Sequence, residues 1–283
     1  QVPDSRILII SDEEDADFER FIEYGKYFGG EDRIIPALYR ANNEEYAALV
    51  EDLGDDTLFN LVKAGMPDDE LESLYQKVID GLVEFQSSHG SDAPDVRIFD
   101  FDYLRWETAY FTENILVEYC GLTESECECL DAEFDALAEL VVSHGHILIH
   151  RDFQSQNIMV DRNGRIRFVD YQGMRLGSPG YDVMSVVNDP YVELPAELRK
   201  RLFEYYRQIT GVGRDVMNAA GLQRIMQALG AYGFLSRVKG KKQYLDFIPF
   251  AFSILNELLS APPLPLPALT SLVNKASITS GRG

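Results

Sequence analysis

Three short apolar runs lie close together in the second half of the sequence, at residues 147–149, 158–160 and 166–169. Their length and composition are typical of strands and predict a compact β segment. Asp-Arg-Asn-Gly at 161–164 separates the last two runs, and Asn-Gly readily adopts the positive φ of a tight hairpin turn. A polar loop, residues 150–157, joins the first two runs, so we expect the hairpin to hold that loop in place.

The polar loop reads His-Arg-Asp-Phe-Gln-Ser-Gln-Asn, and a further aspartate, Asp170, follows the third run. A carboxylate beside an attacking hydroxyl can orient it and accept its proton, which is the role expected for Asp152. An amide oxygen and a second carboxylate can hold Mg²⁺ against phosphates, which is the role expected for Asn157 and Asp170. The spacing therefore predicts transfer of the γ-phosphoryl group of ATP to a small-molecule hydroxyl. The structural alternative makes these residues turn formers and a strand-end cap.

Two further residues are predicted to support the loop. His150 is expected to brace it rather than to act as a general base. Asp182 opens the helical region that follows, and two compatible interpretations stay open for it. It can be the N-cap of a helix, or a buried carboxylate that accepts hydrogen bonds from the loop backbone or from His150.

The charge balance limits the partners. The 26 Lys and Arg residues against 47 Asp and Glu give a formal net charge of −21, which repels nucleic acid and anionic lipid. No nucleic-acid or membrane partner is expected, and no run of about 18 apolar residues is present to span a bilayer. The same charge repels ATP, so the nucleotide site has to depend on local donors and bound Mg²⁺. Three cysteines and no visible signal peptide favour a protein of the reducing cytoplasm.

The distribution of strands and helices predicts an α+β chain of two lobes. Residues 51–56, Glu-Asp-Leu-Gly-Asp-Asp, break the strand pattern and are expected to be a hinge. The small, strand-rich lobe is predicted at 1–50 and the large, helical, catalytic lobe at 57–283. Because the chain does not begin with Met, the small lobe is expected to be incomplete.

These residues resemble the aminoglycoside phosphotransferase and choline kinase family, which has a protein-kinase-like fold. The resemblance rests on the polar loop, on Val-Asp-Tyr-Gln at 169–172 and on a hinge-like segment at 49–55. Other segments are similar to the branch that contains bacterial cell-wall amino-sugar kinases, namely residues 172–182, 189–192 and 223–234. Members of that branch phosphorylate N-acetylmuramate or N-acetylglucosamine at the anomeric hydroxyl.

The resemblance implies ATP and Mg²⁺ as cofactors and assigns a role to each matching residue. Asp152 would be the catalytic base, and Asn157 and Asp170 would bind the metal. The backbone around Glu51 and Leu53 would contact adenine.

The resemblance also assigns residues to the acceptor side of the site. Asp182 would brace the catalytic loop, and Gln154, Gln172 and Asp189 are expected to contact a small-molecule substrate, in the first place a sugar. An aminoglycoside kinase, a choline kinase and a non-catalytic relative that binds nucleotide or sugar stay open as alternatives. A protein kinase is disfavoured because Asp-Phe-Gly and Ala-Pro-Glu are absent from the sequence. The sequence does not predict the oligomeric state.

The chain departs from the family at its beginning. The family's first strands carry a Gly-rich phosphate loop, and the third strand often carries a Lys that pairs with a helix Glu. This chain begins at about that third strand, shows no Gly-rich loop and has no Lys at residues 6–12. Glu19 or Glu23 could be the helix carboxylate, but its partner is not apparent. The amino-sugar branch is also expected to lack the Lys.

Overall fold

The computed structural model describes residues 5–11 and 16–280, and the chain folds into two compact units. The first unit contains the chain up to Arg97 together with Ile147–Leu176. The second contains Ile98–His146 together with the chain from Gly177 onwards. Among the described residues, no helix is long and apolar enough to cross a membrane.

The first unit carries the described strands and the first three helices. Its strands are β1 (Arg6–Ile10), β2 (Leu38–Asn42), β3 (Ala47–Glu51), β4 (Ile147–Ile149), β5 (Ile158–Val160), β6 (Ile166–Phe168) and β7 (Arg175–Gly177). Its helices are α1 (Ala16–Phe28), α2 (Leu58–Ala64) and α3 (Asp68–Gln86). Strand β7 continues by one residue into the second unit.

The N-terminal strands form an antiparallel sheet in the order β1-β3-β2. Phe18 and Ile22 of α1 pack with Ala48 of β3, which fixes the helix on the sheet. Strand β2 begins at Leu38, although residues 34–39 form an apolar run of the kind that favours a strand. Pro36 offers no N–H to a strand partner, so the chain before Leu38 stays irregular.

The predicted hairpin consists of β5 and β6, with Met159 opposite Arg167. The Asp161 carboxylate closes its turn, because one oxygen accepts the N–H groups of Asn163 at 2.8 Å and Arg165 at 3.0 Å. Gly164 has a φ of 74°, which is the conformation that made Asn-Gly a turn signal. The hairpin therefore has a rigid turn as well as a strand ladder.

The second unit is helical. Its helices are α4 (Phe101–Phe111), α5 (Glu124–Cys127), α6 (Asp131–Ser143), α7 (Tyr181–Val187), α8 (Ala196–Thr210), α9 (Arg214–Arg237), α10 (Ile248–Leu259) and α11 (Pro267–Ser280). Helix α4 continues as a π-helical turn over Thr112–Val117. The proximity of α4 to α9 depends on glycine: a Cβ at Gly230 would lie 2.9 Å from Cδ1 of Tyr110, and one at Gly233 would lie 2.5 Å from the Asn114 carbonyl oxygen.

Candidate active site

The predicted catalytic loop and the residue after the hairpin are joined by hydrogen bonds. Asn157 ends a 3₁₀ turn (Ser155–Asn157), and its Nδ2 donates to the Asp152 carbonyl oxygen at 2.9 Å. The same Nδ2 lies 3.4 Å from Oδ2 of Asp170. All three residues belong to the first unit, so the structure brings the predicted base and both predicted metal ligands together.

Asp170 has a left-handed backbone, with φ 64° and ψ 39°. Aspartate enters this region more readily than most residues, but the conformation still costs on the order of 1–3 kcal/mol and persists only where neighbours enforce it. Gln172 fixes the side chain, because its Nε2 donates to Oδ1 of Asp170 at 2.6 Å. The carboxylate is exposed and lines a cleft of the first unit.

This cleft has a volume of about 430 Å³, within the range of roughly 300–1,000 Å³ found for small-molecule sites. Its apolar walls come from β1, β3 and the hairpin, and its acidic lining includes Asp17, Asp52, Asp55 and Asp170. None of the described residues that line it is a Lys or an Arg. A polyphosphate bound here therefore needs a cation that the described residues of the cleft do not supply.

The segment predicted to contact adenine forms one edge of the cleft. Oδ1 of Asp52 accepts the Gly54 N–H at 2.9 Å, and Gly54 has a φ of 86°, so the chain turns tightly around Leu53. Hydrogen bonds from the Ser5 side chain and from the Gly54 N–H lower the pKa of Asp52 and keep this carboxylate ionised. Within the described part of the chain, no acceptor contacts the Leu53 N–H, which leaves it available to a ligand.

The donor set fits Mg²⁺. Because Asn157 uses its Nδ2 as a donor toward Asp152 and Asp170, its Oδ1 is left as an acceptor. An amide oxygen and a carboxylate are hard ligands, and Mg²⁺ is commonly held by one or two protein oxygens together with phosphate oxygens and waters. The described residues contain no group of three or more His, Cys, Asp or Glu that could hold a metal alone. The residues therefore fit a metal that arrives with a nucleotide.

Apolar side chains occupy the contact between β1 and α1, where the family often has a Lys–Glu pair. Ile9 of β1 packs on the cluster formed by Phe18, Ile22 and Ala48, while Glu19 and Glu23 of α1 are both exposed. Next to this cluster, the ring of Phe21 stacks on Tyr171, with ring centroids 4.9 Å apart. The residue that follows Asp170 is thus fixed by aromatic packing against α1.

His150 is completely buried in the first unit. Its ring centroid lies 6.0 Å from that of Phe85, 5.8 Å from that of Phe153 and 6.2 Å from that of Phe168. Burial lowers the pKa of His150, and this effect outweighs the nearby carboxylates and a hydrogen bond with the Val169 backbone, which raise it. A neutral imidazole that joins the loop to the strand before Asp170 suits the predicted bracing role better than proton transfer.

This burial predicts a pH dependence of stability. In the unfolded chain His150 titrates near pH 6.5, whereas in the folded chain its pKa is lower, so below about pH 6.5 the unfolded state binds the extra proton. The free energy of unfolding should therefore fall with decreasing pH, by up to about 1.4 kcal/mol per pH unit, until the folded pKa is reached. Chemical unfolding between pH 7.5 and 5.5 measures this slope. His150→Gln should flatten it, by about half a proton on average over this range and by close to one proton at its acidic end, and an unchanged slope in that variant would contradict the assignment.

The predicted bracing and substrate residues of the helical part lie in the second unit. Asp182 is buried in the first turn of α7, whose N-cap is Gly180, so Asp182 is not the N-cap. Asp189 is also buried and accepts the Tyr191 N–H at 2.9 Å. The relation of both carboxylates to the catalytic loop stays a prediction.

Of the remaining predicted substrate residues, Gln154 is half-buried just before the 3₁₀ turn in the first unit. A residue that the sequence did not single out is Arg167, which lies in the middle of β6 and is 1% exposed. It forms a salt bridge with Glu51, one of the two residues around which the backbone is predicted to contact adenine. The sequence does contain a signal that could have indicated this buried ion pair, namely an arginine between the apolar residues of a short strand.

Comparison with known proteins identifies the family. The model of the phosphotransferase enzyme family APH matches residues 8–219, so the chain belongs to that family. It is a small-molecule kinase, and the predicted family is confirmed. The N-acetylmuramate/N-acetylglucosamine kinase of Pseudomonas putida is 25% identical over 258 residues, which cover 86% of this chain and 74% of that protein.

Solved structures confirm the protein-kinase-like α+β fold. Aminoglycoside phosphotransferase APH(4)-Ia in a ternary complex with AMP-PNP and hygromycin B superimposes with a TM-score of 0.63 at 17% identity, covering 92% of this chain and 87% of that one. Choline kinase LicA from Streptococcus pneumoniae gives a TM-score of 0.59 at 13% identity, covering 92% of this chain and 86% of that one.

Proposed function

We propose that this kinase transfers the γ-phosphoryl group of ATP to a hydroxyl of an amino sugar, such as N-acetylmuramate or N-acetylglucosamine. The observation that carries the proposal is the contact of the Asn157 amide with both Asp152 and Asp170. It holds the loop that carries Asp152 and two hard oxygen ligands close together on either side of one hairpin, which is the arrangement that phosphoryl transfer requires.

The nucleotide side of the proposal uses the cleft of the first unit. Adenine would lie against the turn at Leu53, with the Leu53 N–H as a donor and the apolar walls of the cleft around the ring. Residues 51–56 would then be the hinge between a small lobe at 1–50 and a large lobe from 57 onwards. The AMP-PNP bound to APH(4)-Ia supports a nucleotide as the ligand of this fold.

The metal side of the proposal follows from charge. Asn157 Oδ1 and the Asp170 carboxylate would hold Mg²⁺, which neutralises developing charge on the phosphates. The carboxylates that line the cleft would otherwise repel ATP, so these two ligands make nucleotide binding dependent on the metal. The Asp152 carboxylate would orient the acceptor hydroxyl and take its proton as the new bond forms.

An amino-sugar acceptor is supported by the Pseudomonas putida relative and by the polar side chains near the loop, Gln154 and Gln172. A quaternary ammonium acceptor would need an open aromatic cage. The aromatic cluster beside Asp189 does not offer one, because ring centroids of Tyr191, Tyr232 and Phe247 lie 4.7–5.9 Å apart. At that spacing the rings contact one another and fill the space between them.

A panel of acceptors tests the proposal. With Mg²⁺ and ATP, we expect kcat/KM for N-acetylmuramate or N-acetylglucosamine to exceed that for choline by about 10²-fold or more, since a hydrogen-bonding site discriminates strongly against an acceptor that leaves its polar groups unpaired. ADP release measures the rate, and mass spectrometry of the product identifies the acceptor. Faster turnover of choline or of an aminoglycoside would overturn the acceptor. Nucleotide binding without turnover of any of the four would favour a binding protein over a kinase of these acceptors.

A further inference from the structure

Arg167 is buried in the first unit, and both terminal nitrogens of its guanidinium donate hydrogen bonds to Glu51. Its Nη1 donates to Oε1 of Glu51 at 2.9 Å, and its Nη2 donates to Oε2 of Glu51 at 2.6 Å. Such a paired contact fixes orientation as well as distance, because the planar guanidinium matches both carboxylate oxygens. A lysine cannot reproduce it.

The same guanidinium contacts the backbone that follows α1. Its Nη2 donates to the Gly30 carbonyl oxygen at 2.9 Å and its Nη1 to the Glu31 carbonyl oxygen at 3.2 Å. A weaker contact joins Nη2 to the Ile35 carbonyl oxygen at 3.4 Å. Arg167 therefore holds three segments together: its own hairpin, β3 and the loop after α1.

Glu51 is fixed from its other side as well. Its Oε2 accepts the Ala37 N–H at 3.0 Å, while its own N–H donates to the Ala37 carbonyl oxygen at 2.9 Å. Glu51 ends β3 and directly precedes the turn at Asp52 and Leu53. The Glu51 side chain thus fixes the point from which that turn begins.

The pair therefore joins two functional segments. Arg167 lies three residues before Asp170, and Glu51 lies two residues before Leu53. A second link between these segments is a hydrogen bond from the Val160 N–H to the Asp56 carbonyl oxygen at 2.8 Å, but Val160 lies ten residues before Asp170 and Asp56 three residues after Leu53, so the pair lies nearer to both. A buried ion pair adds little net stability relative to apolar residues, so its contribution is better sought in geometry.

We infer that Arg167 is a positioning residue: through Glu51 it fixes the hinge relative to Asp170, so that the adenine contact and the metal ligand are held at the separation that one nucleotide spans. The inference rests on the proposed use of the cleft for ATP. It predicts that breaking the pair weakens nucleotide binding without changing the acceptor site.

Three variants test the pair. Arg167→Met removes both donors at similar length, Arg167→Lys keeps the charge without the fork, and Glu51→Gln removes the negative charge. Each is expected to raise the Kd for ADP by about tenfold in calorimetry and the KM for ATP similarly, with the KM for the acceptor unchanged within twofold. If Arg167 acts through Glu51, the double variant Arg167→Met with Glu51→Gln should bind ADP no more weakly than the worse single variant.

Arg165→Met is the matched control. Arg165 lies two residues earlier on the same hairpin and pairs with Asp161 at 2.7 Å and Asp32 at 3.0 Å, without contacting Glu51. Oδ2 of Asp161 also lies 3.5 Å from Nη1 of Arg167, so the control tests whether the Asp161 contact matters apart from Glu51. Its loss removes the same charge and disturbs the hairpin turn, yet it should leave the Kd for ADP within about twofold of the wild type. Unfolding curves measured without nucleotide show which variants are folded. If Arg167→Met does not fold, Arg167→Lys, which retains the charge, and Glu51→Gln, which retains the shape, still test the pair.

The outcomes are distinct. If the wild type binds no ADP, the proposed function fails and this inference fails with it. If the wild type binds ADP but the folded Arg167 and Glu51 variants bind it as Arg165→Met does, only the inference fails, and the pair is merely structural. Additive effects of Arg167→Met and Glu51→Gln on the Kd would show that Arg167 does not act through Glu51 and would also overturn it.

Discussion

Replacing Asp152 with asparagine is expected to lower kcat by roughly 10²–10⁴-fold, the contribution of a positioned general base. Asparagine keeps the shape of the side chain but cannot accept the proton of the attacking hydroxyl. The backbone contact should survive, because Asn157 donates to the carbonyl oxygen of residue 152 and not to its carboxylate. The loop should therefore stay in place while its chemistry is lost.

Initial rates at saturating ATP, Mg²⁺ and acceptor measure this effect. The Kd for ADP and the Mg²⁺ concentration that gives half-maximal rate should both stay within about twofold of the wild type, since Asp152 is assigned no metal or nucleotide contact. Asp69→Asn, a carboxylate exposed in the first turn of α3, controls for the change in net charge and should leave kcat unchanged. An Asp152→Asn enzyme with full activity would contradict the assignment of the base.

Local chemistry made the centre of the site predictable from the sequence. The Asn-Gly turn requires a hairpin at 161–164, and polar residues on both sides of a hairpin are held close to each other wherever it packs. That is why Asp152, Asn157 and Asp170 could be grouped from residue order alone. The left-handed backbone of Asp170 and the donor contact from Gln172 add a fixed orientation that the residue order does not encode.

Contacts between segments distant in sequence were not predictable in the same way. Arg167 and Glu51 are 116 residues apart, and nothing in either local sequence names the other as its partner. Similarly, an aromatic side chain such as Trp106 on α4 favours a place in the core, yet Trp106 is 49% exposed and stacks on Tyr110. Burial depends on which helix faces pack together, and the buried residues of α4 are Leu104, Glu107, Thr108 and Phe111.

The contact between β1 and α1 shows the physical consequence of the absent Lys. The absent Lys at β1 left the phosphate side of the site unexplained, and the structure places Ile9 and an aromatic cluster at that contact. Apolar packing can fix α1 and Tyr171 as firmly as an ion pair, but it contributes no positive charge. In the proposed function, the metal ligands Asn157 and Asp170 would therefore carry more of the phosphate binding than in a site with a lysine.

Asp170→Asn is accordingly expected to produce the second large effect. Asparagine tolerates the left-handed backbone at this position, so the substitution removes the ligand charge without straining the turn. Because a bound metal ion contributes several kcal/mol to transition-state stabilisation and each 1.36 kcal/mol is tenfold in rate, kcat should fall by about 10³-fold. In contrast to Asp152→Asn, the Mg²⁺ concentration for half-maximal rate should rise by tenfold or more, since an amide binds Mg²⁺ more weakly than a carboxylate. Rates measured across a Mg²⁺ titration distinguish the two variants. If Asp170→Asn kept the wild-type Mg²⁺ dependence, the metal would have to be held elsewhere. The binding of ATP phosphates in a cleft whose described lining contains no Lys or Arg would then need another explanation.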